Sequence, residues 1–137
     1  MKKIVLIVDD LAHERAKALE QINKNKLSAI AANNLTDAIR LLNKFQGKIY
    51  AVVTDLHYPS QKDNHRDINS PNGLALVSYC VENNIRVGVC SNVDGHFSDY
   101  VKHPLKLMST HQAYQFNEIP FSNTKNWEEA INETINL

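Results

Sequence analysis

A parallel-sheet α/β fold is the reading that fits this sequence, on three observations. Short apolar runs rich in Val and Ile alternate with segments whose apolar residues recur at helical spacing, the pattern of strand-helix-strand units. The strongest runs are apolar almost throughout rather than at every second residue, as central strands covered by helices on both faces require. A length of 137 residues suits one ordinary domain with a core on each side of a sheet, so residues 1–137 are expected to form a single domain.

In chain order, Ile4 to Val8 is the first strand, and Ala12, Ala16, Leu19 and Ile22 mark the helix after it. Ser28 to Ala32 is a weaker strand. Leu35, Ala38, Ile39, Leu42 and Phe45 form a helical stripe, entered through Asn34 with Asp37 three positions later as a capping pair. Ile49 to Thr54 is the next strong strand, and the polar stretch 57–70 (HYPSQKDNHRDINS) is longer than the usual strand-to-helix loop. Leu74, Val77 and Val81 mark a third helix, with Ser70 as its cap and Pro71 in its first turn. Ile85 to Cys90 is a further strand. Residues 92–112 show no clean stripe and are interrupted by Pro104, so only a short helix at Phe97 to Val101 is expected there. Ala113 to Glu118 alternates Tyr and Phe with polar residues, which predicts an edge strand. Trp127, Ala130, Ile131 and Ile135 close the chain with a helix.

Composition excludes several classes of function. Lys plus Arg and Asp plus Glu both total 15, so no overall charge favours nucleic acid or an anionic membrane. The first apolar run is only five residues long and ends in two aspartates, too short for a signal peptide or a membrane span, and a cytoplasmic location is expected. Cys80 and Cys90 lie in apolar stretches without the spacing of a zinc site or a disulfide framework, and read as reduced, buried thiols.

In an open parallel sheet, ligands bind beyond the carboxyl ends of the strands. Here Asp9 and Asp10 end the first strand, Asp55 ends the third and Ser91 ends the fourth. Any one of these could simply be a solvated cap for the following helix. Three carboxylates and a hydroxyl at one sheet edge point instead to a site, and Mg²⁺, a hard cation that prefers oxygen ligands, would relieve the repulsion among them. His57, His65, His96, His103 and His111 have no pair at the separation of a helical zinc motif and read as solvated loop residues. His57, beside Asp55, is the one aimed at the acidic site.

VDD at the end of strand one, TDLHYP at the end of strand three and VCS at the end of strand four resemble the receiver domains of two-component response regulators, over essentially the whole chain. The resemblance implies a flavodoxin-like, doubly wound five-stranded parallel sheet of order 2-1-3-4-5 with helices on both faces. It implies that Asp9 and Asp10 hold Mg²⁺, that Asp55 accepts a phosphoryl group and is also a metal ligand, and that the His57 backbone carbonyl completes the protein ligands. Ser91 matches the hydroxyl residue that binds a phosphoryl oxygen, Pro59 the proline after the acceptor, and Gly73 and Leu74 the motif opening the third helix. Phe116 would be the switch aromatic on strand five.

The implied function is that of a stand-alone signalling module, not an enzyme. It would take a phosphoryl group from a histidine kinase, a phosphotransfer protein or a small phosphodonor and act by docking to a downstream protein, with no nucleic-acid or membrane partner. The family's strand-five lysine, which precedes a proline, is expected to be missing, because Ile119 precedes Pro120. Lys62 and Lys125 are candidate substitutes. The missing lysine and the unusual segment 92–112 favour an alternative, a receiver-like binding module that is not phosphorylated. A haloacid-dehalogenase-type phosphohydrolase with Asp9 as nucleophile would need a second aspartate where Leu11 stands, and a cobalamin site at Asp55 to His57 would need a glycine where Ser60 stands.

Overall fold

The computed structural model describes residues 3–137; Met1 and Lys2, the start of the expected domain, lie outside them. Five parallel strands, β1 (Ile4–Val8), β2 (Ser28–Ala32), β3 (Ile49–Thr54), β4 (Arg86–Cys90) and β5 (Phe121–Ser122), alternate with five helices. The helices are α1 (Ala12–Lys24), α2 (Leu35–Lys44), α3 (Asn72–Glu82), α4 (Gly95–Ser109) and α5 (Trp127–Ile135). The strand order is β2-β1-β3-β4-β5, as the resemblance implies.

Side chains that alternate along each strand divide the interior in two. Leu6, Val8, Val52, Val87 and Val89 join Leu42, Leu76, Val77 and Leu105 of α2, α3 and α4 on one face. Val5, Ile7, Ala51, Val53 and Cys90 join Ala18 and Ile22 of α1 and Trp127, Ala130 and Ile131 of α5 on the other. Each fully buried Val, Leu or Ile contributes about 1.5–3 kcal/mol of apolar burial, and two-sided burial is why these runs read as continuously apolar. Cys80 and Cys90 fall on opposite faces, both free and buried, and burial pushes both thiols well above their ordinary pKa.

The helix entries follow local chemistry. Asn34 accepts from the Asp37 N–H at 2.8 Å and donates to the Asp37 carboxylate at 2.8 Å, the reciprocal pairing its sequence suggests. Ser70 does not cap α3: Pro71 occupies that position without a side-chain bond, and Asn72 anchors the first turn by donating to the Tyr58 carbonyl at 2.7 Å. Part of the long connection 57–70 docks on α2, where the Pro59 and Ser60 carbonyls accept from the Leu35 and Thr36 N–H groups at 3.1 and 2.9 Å.

Two expectations after β4 are overturned. α4 is a regular 15-residue helix that accommodates Pro104 internally, entered through Asp94, which accepts from the His96 N–H. Residues 113–118 form no strand. Tyr114 turns into the core and donates its hydroxyl to the Glu118 carbonyl at 2.8 Å, the Gln115 N–H is held by Asn84, and Asn117 is left-handed at φ 68°. The Tyr and Phe alternation therefore belongs to a folded loop, and strand five is the two-residue β5 after Pro120.

Gly73 sits where α3 crosses the end of β3. Its N–H donates to the Leu56 carbonyl at 2.9 Å, and a Cβ there would overlap the Asp55 carbonyl oxygen and the Leu56 Cα. Both obstacles are backbone, so no rotamer relieves them. Gly73→Ala is expected to lower unfolding free energy by about 1–3 kcal/mol or more, measured by urea denaturation. An unchanged midpoint would mean that α3 does not press on the Asp55 segment.

Candidate functional site

β1 and β3 are neighbours in register, Val8 opposite Thr54, so the residues that follow them emerge side by side. The Asp9 N–H donates to the Ala32 carbonyl at 3.2 Å and the Asp55 N–H to the Val8 carbonyl at 2.9 Å, which extends strand pairing to the two carboxylates. Carboxylate oxygens of Asp9, Asp10 and Asp55 lie within 4.8 Å of one another. Asp9 is fully buried, Asp55 is 8% exposed and Asp10 is half-buried. Local donors fix two of them: Asp9 Oδ1 accepts from the Leu11 N–H at 2.9 Å and Asp55 Oδ1 from the Leu56 N–H at 2.7 Å.

The other two oxygens meet a cation. Lys125 Nζ lies 2.6 Å from Asp9 Oδ2 and 2.8 Å from Asp55 Oδ2, with its side chain only 15% exposed. Ile119 supplies no ammonium; of the two candidate substitutes, Lys125 is the one that reaches the carboxylates. Lys125 arrives from the turn just after β5, in a left-handed conformation at φ 58°, and is followed by Asn126 rather than proline. That turn is pinned by its own N–H to the Ser91 carbonyl at 3.2 Å and by the Asn126 N–H to Ser122 Oγ at 2.9 Å. The usable signal in the sequence was the short pair Phe121-Ser122 leading into Asn123-Thr124-Lys125, hidden behind the more conspicuous alternation at 113–118.

Three carboxylates and one ammonium leave two net negative charges. Asp9 Oδ2 is buried and takes no hydrogen bond beyond its ion pair, so the donor set suits a hard divalent cation in charge and in chemistry. Burial raises the Asp9 carboxyl to about 6 against the lowering effects of Lys125 and the Leu11 N–H, with the Asp55 charge adding to the rise. Burial pulls the Lys125 ammonium down, but its hydrogen bonds to Asp55 and Asp9 and their charges outweigh this and raise its pKa.

Ser91 stands at the same sheet edge, 4% exposed, its N–H donating to the Ser122 carbonyl at 2.9 Å. Behind the Asp55 segment, Tyr58 is fully buried and its hydroxyl meets Thr54 Oγ1 at 2.8 Å, which in turn donates to the Asp55 carbonyl at 2.8 Å. His57 itself is exposed, as are His65, His96, His103 and His111. Lys62 is exposed and lines a cavity of about 140 Å³ that also touches Asp10. Phe116 is not at the site: it lies in the loop before β5, edge-on to Tyr114 and 4.5 Å from the guanidinium of Arg86 at the opposite end of β4. The aromatic on β5 is Phe121, in register with Val89.

No family model and no curated protein matches the chain in sequence; the likeness is one of structure. A response regulator from Thermotoga maritima aligns over 100% of both chains at a TM-score of 0.63 and 17% identity. A response regulator receiver protein from Pseudomonas putida aligns over 76% of this chain and 80% of its own at 0.51 and 22%. The chemotaxis response regulator CheY4 of Vibrio cholerae aligns over 97% and 96% at 0.63 and 12%. The chain has the receiver fold. Among the described residues, no helix is long and apolar enough to cross a membrane.

The raised Asp9 carboxyl has a measurable consequence. Its pKa of about 6 in the folded state exceeds the ordinary 3.8, so the folded protein holds this proton more tightly than the unfolded chain. The associated stability is fully present below about pH 4 and is lost as pH rises through about 6, on the order of 2–3 kcal/mol in all. Metal-free Asp9→Asn is therefore expected to be more stable than the natural protein at pH 7, with the gap closing toward pH 4, as measured by thermal unfolding in chelator. A gap that does not vary with pH would show that burial does not govern this carboxyl.

Proposed function

We propose that the chain is a phosphoacceptor receiver module, in which Asp55 takes a phosphoryl group from a histidine kinase, a phosphotransfer protein or a small phosphodonor. The observation that carries this reading is the Lys125 ammonium, within 2.8 Å of Asp55 and 2.6 Å of Asp9. Asp9, Asp10, Asp55 and the His57 backbone carbonyl would hold Mg²⁺, which when bound neutralises charge on the phosphoryl oxygens.

A carboxylate oxygen of Asp55 attacks phosphorus as the bond to the donor nitrogen or oxygen breaks, leaving an acyl phosphate on the chain and the electron pair on the donor. Lys125 holds the acceptor carboxylate beforehand and is placed to pair with a phosphoryl oxygen afterwards. The Ser91 hydroxyl serves as a second donor to those oxygens. Gly73 and the Tyr58-Thr54 pair keep the segment after β3 in place while the charge builds. The chemistry is a stoichiometric self-modification, and the signal passes by docking of the modified module to a downstream protein. The non-phosphorylated alternative rested on a missing lysine and on an irregular segment 92–112; Lys125 and the regular α4 remove both supports.

With acetyl phosphate and Mg²⁺, intact-mass spectrometry is expected to find one added phosphoryl group on the natural protein and none on Asp55→Asn. An unlabelled natural protein, where an ordinary receiver labels, would return the reading to a binding module. Lys125→Met is expected to weaken beryllofluoride, a phosphoryl mimic, about tenfold to a hundredfold, the loss of one charge-assisted hydrogen bond of about 1.5–3 kcal/mol. Ile119→Lys should give no gain, because that position packs on the α2 to α4 face of the sheet. A gain there, with Lys125→Met silent, would assign the role to the wrong lysine.

A further inference from the structure

We infer that Glu14 and Trp127 act as a positioning pair for Lys125, fixing its ammonium between Asp9 and Asp55; the inference rests on the receiver reading above. The Lys125 ammonium lies 5.6 Å from the centroid of the Trp127 ring, within the range of a cation–π contact. Trp127 is the first residue of α5 and is 4% exposed. Its indole N–H donates to Glu14 Oε2 at 2.7 Å, a buried bond that crosses from α5 to α1. The ring is thereby held against rotation at its N–H while its face meets the lysine.

Packing alone does not call for this arrangement. Glu14 is only 8% exposed, and a carboxylate so enclosed is costly unless its charge has partners. Burial raises its carboxyl, but the Trp127 N–H, Lys17 and the charge of Lys125 outweigh this and hold it below its ordinary value. Glu14 thus stays ionised, and its charge acts on Lys125 without a hydrogen bond or ion pair between them. The lysine needs such help because it leaves a left-handed turn, and a free lysine must surrender most of its rotamer freedom to stay in one place. Asp9 and Asp55 alone cannot supply a fixed seat through a reaction in which one of them becomes an acyl phosphate. The ring and Glu14 keep the same charge and shape throughout.

Positioning predicts a split between two probes. Glu14→Leu and Trp127→Phe should bind Mg²⁺ alone like the natural protein, since neither residue is among the proposed ligands. In saturating Mg²⁺ both should bind beryllofluoride more weakly, by no more than about thirtyfold, the loss that abolishing a desolvated cation–π contact would bring, since each variant keeps an aromatic ring beside the lysine. Glu14→Gln keeps the acceptor for the indole N–H but not the charge, and should recover part of the loss and not all of it. Trp127 is the only tryptophan, so its fluorescence should also change when beryllofluoride draws the ammonium, and should not change in Lys125→Met. Circular dichroism confirms that each variant is folded, and Glu14→Leu carries the test if Trp127→Phe is not. Equal loss of Mg²⁺ and beryllofluoride binding would mean general distortion and overturn the inference. So would unaltered beryllofluoride binding in folded Glu14→Leu while Lys125→Met is impaired, an outcome that leaves the receiver reading intact. If Lys125→Met also binds normally, the receiver reading of this lysine fails, and the positioning pair with it.

Discussion

Two buried carboxylates facing one ammonium is the constraint around which the rest of the molecule is arranged. Asp9 and Asp55 are brought together only because β1 and β3 are neighbours in register, and the repulsion between them would oppose that pairing without Lys125. Removing the ammonium would typically cost about 3–5 kcal/mol, because it leaves both buried carboxylates without their partner. β4 and β5 serve the same arrangement from the other side. β5 gives only two residues to the sheet, yet the bonds from Ser91 to Ser122 and from Lys125 to Ser91 hold the turn that delivers the ammonium.

The same logic explains the surroundings of Asp55. Its segment cannot rise, because Gly73 lies against it. It cannot sink, because Tyr58 fills the core below and is tied through Thr54 to the Asp55 carbonyl. Its continuation is fastened to α2 through Pro59 and Ser60. On the phosphoacceptor reading proposed above, a carboxylate that has to meet phosphorus in line would gain from a backbone with so little freedom.

The parts of this fold that were legible in the sequence are those set by local or two-sided burial. β1, β3 and the end of β4 appear as continuous apolar runs because both faces are covered, and the Asn34 to Asp37 capping pair is a spacing rule that tertiary structure had no reason to override. With them came Asp9, Asp10, Asp55 and Ser91, which simply end those strands. What was illegible depends on long-range contacts. The 113–118 stretch carries strand-like alternation, but its Tyr114 and Gln115 are held by Glu118 and Asn84 in a loop. β5 is too short to show any period, so Lys125 could be named from the sequence only as one of two candidate substitutes, with no strand to mark its place. Pro104 seemed to forbid a helix that the core contacts of Leu105 and its neighbours nonetheless sustain.

The division of β3 between the two cores carries a further implication. Ala51 and Val53 face one side and Val52 the other, so the direction in which Asp55 leaves the sheet is a matter of parity. Gaining or losing a single residue within β3 would exchange the two faces and turn the Asp55 carboxylate away from Asp9 and Lys125. Two residues would restore the faces but displace the carboxylate along the strand. The connections 57–70 and 110–120 obey no such arithmetic, since length added there shifts neither face. Related chains should therefore vary in length at these two places and keep the count of β3 fixed.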